Sequence, residues 1–164
     1  MAKYQFKGLD EYAAYLQRIG ANTQEICGKA VYSMADIVAD KVRSNIEALP
    51  TVTEAEALAA YKEKRKTGLT SAQKKGLEEG FGISPMENDK GYWNVKLGFD
   101  GYNKVKTKTY PNGQPNAMIA RATESGSSVR EKTPFIRTAV SATQKQAVEI
   151  AKQVVDKEIS KIKE

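Results

Sequence analysis

At 164 residues, 40% of them hydrophobic and 28% charged, the chain has the size and composition of one globular domain with a real core. It contains no histidine and a single cysteine, Cys27, which excludes an intramolecular disulfide, imidazole acid–base chemistry and zinc sites of the Cys/His type. Basic residues outnumber acidic ones by 26 to 20, and the net charge of +6 suits an anionic partner without specifying one.

The opening Met1-Ala2-Lys3-Tyr4-Gln5-Phe6 lacks the apolar segment of a secretory leader, and no apolar run is long enough to span a bilayer. The expectation is a protein made without secretion machinery and used away from membranes. Residues 3–7 suit a short lead-in strand or an extended arm. From Leu9 to Ile19 the apolar residues Leu9, Tyr12, Ala13, Leu16 and Ile19 recur at helical spacing, and Gly20 is placed to end that helix.

The next helix is predicted from Asn22 or Thr23 to about Leu49, before Pro50, with Glu25 at capping-box distance from Asn22. Its apolar stripe is Ile26, Ala30, Met34, Ile37, Val38, Val42, Ile46 and Leu49. Cys27 falls among the apolar positions of this helix and reads as a small buried hydrophobe.

Residues 51–90 change character. Thr53 and Glu56 form a capping box before an Ala-rich helix to about Lys66, whose large apolar residues are essentially Leu58 and Tyr61. A shorter helix follows from Thr70 or Ser71 to Glu79, ended by Gly80-Phe81-Gly82, and Ser84 to Gly91 reads as a loop. The whole stretch is expected to be a helical insertion that projects from the core.

Tyr92 to Phe99 alternates as one half-buried strand, and Asp100-Gly101 is a hairpin signal. Tyr102 to Tyr110 alternates lysines with Val105, Thr107 and Thr109, which suits either a charged edge strand or a basic loop. After the turn Pro111–Pro115, Ala117 to Thr123 reads as a returning strand.

A turn at Glu124-Ser125-Gly126-Ser127-Ser128 then leads to Thr133 as N-cap, Pro134 at the first helical position, and a long helix to about Ile162. Its stripe is Ile136, Val140, Ala147, Ile150, Ala151, Val154, Val155, Ile159 and Ile162. The order of elements argues for a single α+β domain over 1–164: an antiparallel sheet packed by two long amphipathic helices, with the helical and loop insertion at 51–90 between the first long helix and the sheet.

No catalytic, cofactor-binding or metal-binding set emerges from the pattern. There is no phosphate-binding glycine loop, Ser125, Ser127 and Ser128 have no base beside them in sequence, and the paired carboxylates lie on polar helices. Two basic segments stand out, Lys62, Lys64, Arg65 and Lys66, and Lys104, Lys106 and Lys108. Both are candidate assembly contacts. They also support an alternative, sequence-nonspecific nucleic-acid binding.

The stretch Glu124-x-Gly126-Ser127-Ser128 followed by Thr133-Pro134-Phe135-Ile136-Arg137-x-Ala139 resembles a signature of phage neck proteins. These are the small head–tail joining or tail-completion proteins of long-tailed phages and prophages. Serine stands at 127 where that family commonly has threonine. Phe6-x-Gly8-Leu9-Asp10-x-Tyr12 is similar to the family's opening, and the long helix at 23–49 and the strand at 93–99 follow in the same order.

The resemblance implies a structural virion protein, not an enzyme, with no cofactor. It implies a homo-oligomeric ring, a hexamer being one stoichiometry open to it. Its neighbours would be a head-side connector or stopper and a tail terminator or tail tube protein, around a channel through which DNA passes. Assembly would take place in the cytoplasm of a bacterial host, and the tail could be contractile or not.

Overall fold

The computed structural model describes residues 9–163, and the side chains of 11–162. The expected lead-in strand at 3–7 and the motif residues Phe6 and Gly8 lie outside the described residues. So do the side chains of Leu9 and Asp10.

Two helices open the described chain, α1 (Leu9–Ala21) and α2 (Thr23–Glu47). Gly20 does not end α1, which runs one residue further. Nor does Asn22 cap α2. Its side-chain nitrogen turns back to donate to the Arg18 carbonyl at 2.8 Å, closing the end of α1. A short strand β1 (Thr51–Val52) precedes α3 (Glu54–Lys62), where the expected capping box is formed: Thr53 Oγ1 accepts from the Glu56 N–H and Glu56 Oε2 accepts from the Thr53 N–H.

Strand β2 (Leu69–Thr70) pairs in parallel with β1 and leads directly into α4 (Ser71–Gly80), capped by a second such box between Thr70 and Gln73. These residues overturn the expectation that 51–90 as a whole projects. Leu69 and Leu77 are buried in the main hydrophobic cluster, while the peripheral parts are α3, which buries Ala60 alone, and the exposed residues 87–91.

Residues 81–99 form a long antiparallel ribbon in two paired sections. Strand β3 (Phe81–Ile83) pairs with β6 (Leu97–Phe99), and β4 (Glu87–Asp89) pairs with β5 (Tyr92–Asn94). Thus Gly80 ends α4 as expected, Phe81-Gly82 open a strand, Ser84–Gly91 contains one, and the expected single strand 92–99 is interrupted. The cause is a mismatch in length: three residues, Ser84-Pro85-Met86, oppose two, Val95-Lys96, and Pro85 has no N–H to donate. The hairpin turn is Lys90-Gly91, both at positive φ, and not Asp100-Gly101.

The ribbon lies against α2. The Met86 N–H donates to the Tyr32 hydroxyl, and the Met86 thioether sits over Gly28, where no side chain stands in its way.

The run Ala117–Thr123 is not a strand. It lies inside helix α5 (Asn116–Ser125), whose buried residues are Asn116, Ile119, Ala120, Thr123 and Glu124. That is helical spacing, and three of the five are polar, so the stripe is invisible to a count of apolar residues alone.

The last helix, α6 (Ile136–Lys163), starts two residues later than expected. Its buried positions in the first half are Ala139, Thr143 and Ala147, while Val140 is exposed. Helices α2 and α6 run antiparallel. Asn45 near the end of α2 donates to the Phe135 carbonyl beside the start of α6. At the other end Lys29 pairs with Glu158 at 2.7 Å. Held between Lys29 and Lys161, the Glu158 carboxyl is pushed down to about 2 by hydrogen bonds to Lys161 and then to Lys29.

The core sits at one end of this helix pair. Val42, Ile46 and Leu49 of the α2 end, Leu69, Leu77, Ile119 and Ala120, and Phe135 and Ala139 at the α6 start form one cluster. Phe81 and Phe99 pack on it, with Phe99 edge-on to Phe135 at 6.0 Å. The architecture is therefore the expected α+β arrangement, two long helices with small antiparallel sheets.

Candidate functional site

The sequence signature folds into a corner between α5 and α6. Seven signature residues, Glu124, Gly126, Ser127, Pro134, Phe135, Ile136 and Arg137, are brought together there. The corner is built around one carboxylate. Glu124 is the penultimate residue of α5 and is largely buried. Its Oε2 accepts from the backbone N–H of Phe135 at 2.7 Å and of Ile136 at 2.8 Å. Its Oε1 accepts from the Arg137 N–H at 3.2 Å and from Arg137 Nε at 2.7 Å.

The first N–H groups of a helix have no partners of their own, and the positive end of the helix dipole lies among them. A side chain from a different helix supplies both the acceptors and the negative charge. Burial pushes the Glu124 pKa up, but the hydrogen bonds from Ile136, Arg137 and Phe135 outweigh it and hold the carboxyl below the usual glutamate value.

This corrects two expectations. Thr133 is not the cap: its N–H donates to the Thr123 carbonyl at 2.8 Å, so it closes α5 rather than opening α6. Pro134 stands outside α6 and not at its first position, and its carbonyl accepts from the Thr138 hydroxyl. Phe135, the residue just before the helix, is the buried anchor.

Gly126 breaks α5 at φ +76° and ψ 165°, a combination essentially confined to glycine. A Cβ there would stand 3.1 Å from Lys132 Cβ. Ser127 then folds a tight turn, its hydroxyl accepting from the Arg130 N–H at 3.0 Å while its own N–H donates to the Arg130 carbonyl.

Arg130 was not singled out by sequence reading, yet it ties the corner to the rest of the fold. Its guanidinium is buried, which lowers its pKa. It donates to the Gly68 carbonyl and, at 2.7 Å, to Gln73 Oε1. Gln73 in turn donates to Gln114 Oε1 at 2.7 Å. Among the described residues no carboxylate lies within ion-pair distance of Arg130. Backbone bonds from Thr67 to Val129 and from Glu131 to Thr67 complete the seam.

The two basic segments lie on different elements. Lys62 ends α3; Lys64, at φ 54°, Arg65 and Lys66 follow it, and Arg65 pairs with Glu63 at 2.5 Å. Beside them Leu58 and Tyr61 are both more than half exposed.

Lys104, Lys106 and Lys108 lie on a clamped loop, 101–116, and not on a strand. The Asn116 N–H donates to the Gly101 carbonyl and the Asn103 N–H to the Gln114 carbonyl. Further out, Thr107 and Tyr110 exchange both backbone hydrogen bonds at 3.1 Å, which leaves Lys108 and Thr109 at the tip.

The root of this loop presses on α4. A Cβ on Gly76 would lie 2.5 Å from both Asn103 Cβ and Asn116 Oδ1, so only glycine lets the loop seat there. Asn103 Nδ2 and Asn116 Oδ1 are buried beside it with no protein partner.

Among the described residues no three Cys, Asp or Glu side chains come together as a metal site, and no helix is long and apolar enough to cross a membrane. Compared with protein-family models, curated proteins and solved structures, the chain has no match in any of the three.

Proposed function

We propose that the protein is a structural subunit of the phage neck or tail end, one that joins neighbouring rings of a particle through several faces at once. What carries this reading is the placing of its tyrosines. Tyr12 on α1, Tyr61 on α3, Tyr92 at the end of the ribbon and Tyr102 at the root of the 101–116 loop are each more than half exposed. Each stands on a different element at the periphery of the core. Tyrosine offers a large contact area at low entropic cost and is enriched where proteins meet.

The signature supports the same reading. Its residues face one another as a helix cap and a glycine turn, which fixes the angle between α5 and α6. A subunit of a closed ring needs constant angles between its contact faces. On α3, Leu58 and Tyr61 beside Lys62, Lys64 and Lys66 combine an apolar centre with a charged rim, the anatomy of a protein contact. The expected partners are further copies in a ring, a head-side connector or stopper, and a tail terminator or tail tube protein.

The test is deletion and complementation of this gene in the genome that carries it, with the particles released from the bacterial host viewed by electron microscopy. Loss of the gene should leave heads and tails separate by electron microscopy, and the wild-type chain should rejoin them. A Leu58→Asp/Tyr61→Asp variant should fold with an unchanged melting temperature and fail to rejoin them. Normal joining in the absence of the gene would refute the proposal.

A further inference from the structure

The structure separates the two basic segments by the chemistry around them. At 62–66 the lysines share their surface with Glu63 and with the exposed apolar side chains of α3. The tip of the 101–116 loop is different. From Gly101 to Thr123 there is no acidic residue, while Lys104, Lys106, Lys108 and Arg121 all carry positive charge. Among the described residues none of the three lysines takes part in an ion pair. All three are exposed, and so are Thr107 and Thr109, whereas Val105 and Tyr110 are half-buried.

Beyond the Asn103–Gln114 clamp, the outer loop from Lys104 to Thr109 therefore presents ammonium and hydroxyl donors, no carboxylate and no exposed large apolar group; the exposed Tyr102 stands on the other side of that clamp. A protein partner would want an apolar centre, and lysine is depleted from such interfaces. A phosphate backbone wants this set of donors and nothing more. The tip is also held out on a firm root. The Thr107–Tyr110 pair closes it, the Asn103–Gln114 and Gly101–Asn116 bonds clamp its base, and the Arg130–Gln73–Gln114 chain anchors it to the corner. Little order has to be created when the lysines meet an anion.

We infer that the outer part of the 101–116 loop, residues 104–109, is a sequence-independent contact for the phosphate backbone of double-stranded DNA, made by Lys104, Lys106 and Lys108. The inference stands on the charge and geometry of the loop and does not require the assembly role proposed above.

The experiment is fluorescence anisotropy of a labelled duplex of about 30 base pairs with the full chain, over roughly 50–200 mM NaCl. Each phosphate contact contributes about 0.9 to the slope of log K against log salt. The Lys104→Gln/Lys106→Gln/Lys108→Gln variant should therefore have a slope shallower by about 2.7, so that across this range it loses roughly 40-fold less affinity than the wild type. Because the replaced side chains are exposed, its melting temperature should match the wild type.

The Lys62→Gln/Lys64→Gln/Lys66→Gln variant carries the same loss of charge and should keep the wild-type slope. The inference is overturned by absence of binding at about 50 mM salt, or by equal slope changes in the two triple variants, which would mean net charge alone. Polyglutamate competing as well as unlabelled duplex at equal charge would also overturn it, in favour of an acidic protein surface.

Discussion

Replacing Glu124 by alanine tests whether one carboxylate sets the start of α6. The change removes the acceptor for three backbone N–H groups and one guanidinium N–H. Loss of a helix cap costs about 1–2 kcal/mol. Phe135 is buried, so its orphaned N–H has little access to replacement water and adds about 1 kcal/mol or more. Ile136 and Arg137 are more open and recover part of their loss from solvent. Removing the charge from the positive end of the helix adds about 0.5–1 kcal/mol.

The sum is about 3 kcal/mol, a fall in melting temperature of roughly 6–12 °C for a chain of this size. Thermal unfolding followed by circular dichroism at pH 7 reads it directly.

The pH dependence gives the sign. The folded-state pKa of Glu124 lies below its ordinary value of 4.5, so the carboxylate's stabilisation is fully present above that pH. It fades as the pH falls through the lowered folded value. The gap between wild type and Glu124→Ala should be widest near neutrality and should narrow in acid. Glu124→Gln, which keeps one acceptor oxygen and loses the charge, should fall between the two at pH 7. A melting temperature unchanged in Glu124→Ala, or a gap that widens in acid, would refute the capping role.

Two glycine substitutions extend the argument to neighbouring joints. Gly126→Val forces a branched side chain into a glycine-only backbone region and against Lys132, and should cost about 2–3 kcal/mol in chemical denaturation. Gly76→Ala carries no backbone strain but drives a methyl group into Asn103 and Asn116. It should cost about 1–3 kcal/mol and raise hydrogen exchange across 101–116, while the α2–α6 pair remains protected.

The long amphipathic helices were legible because their stripes repeat over many turns, and the capping box at Thr53–Glu56 because both halves of it are local. The strand reading of Ala117–Thr123 failed for a definable reason. Asn116, Thr123 and Glu124 complete the helical stripe, but polar residues are not expected to be buried until their partners are known, and those partners lie up to 16 residues away in sequence. The ribbon at 81–99 was hidden by its own bulge, which shifts one strand by a residue against the other.

The signature was visible as a unit, yet its logic was not. The spacing Glu124 to Phe135-Ile136-Arg137 reads as turn plus helix start, and only three dimensions show the first residue capping the last three. Arg130 left no signal at all, since a lone arginine among polar neighbours reads as surface.

The corner also sits at the foot of a long lever. Helix α6 rises about 42 Å from the point where Glu124 grips it. The main hydrophobic cluster holds it only near that origin. Beyond Ala147 the helix leans on α2 through half-buried contacts. A tilt of about 5° at the grip would carry the far end sideways by some 3–4 Å, on the order of a side chain's width. Small displacements at the foot are thus converted into large ones at the far end, where the Glu158–Lys29 pair is placed to limit the swing.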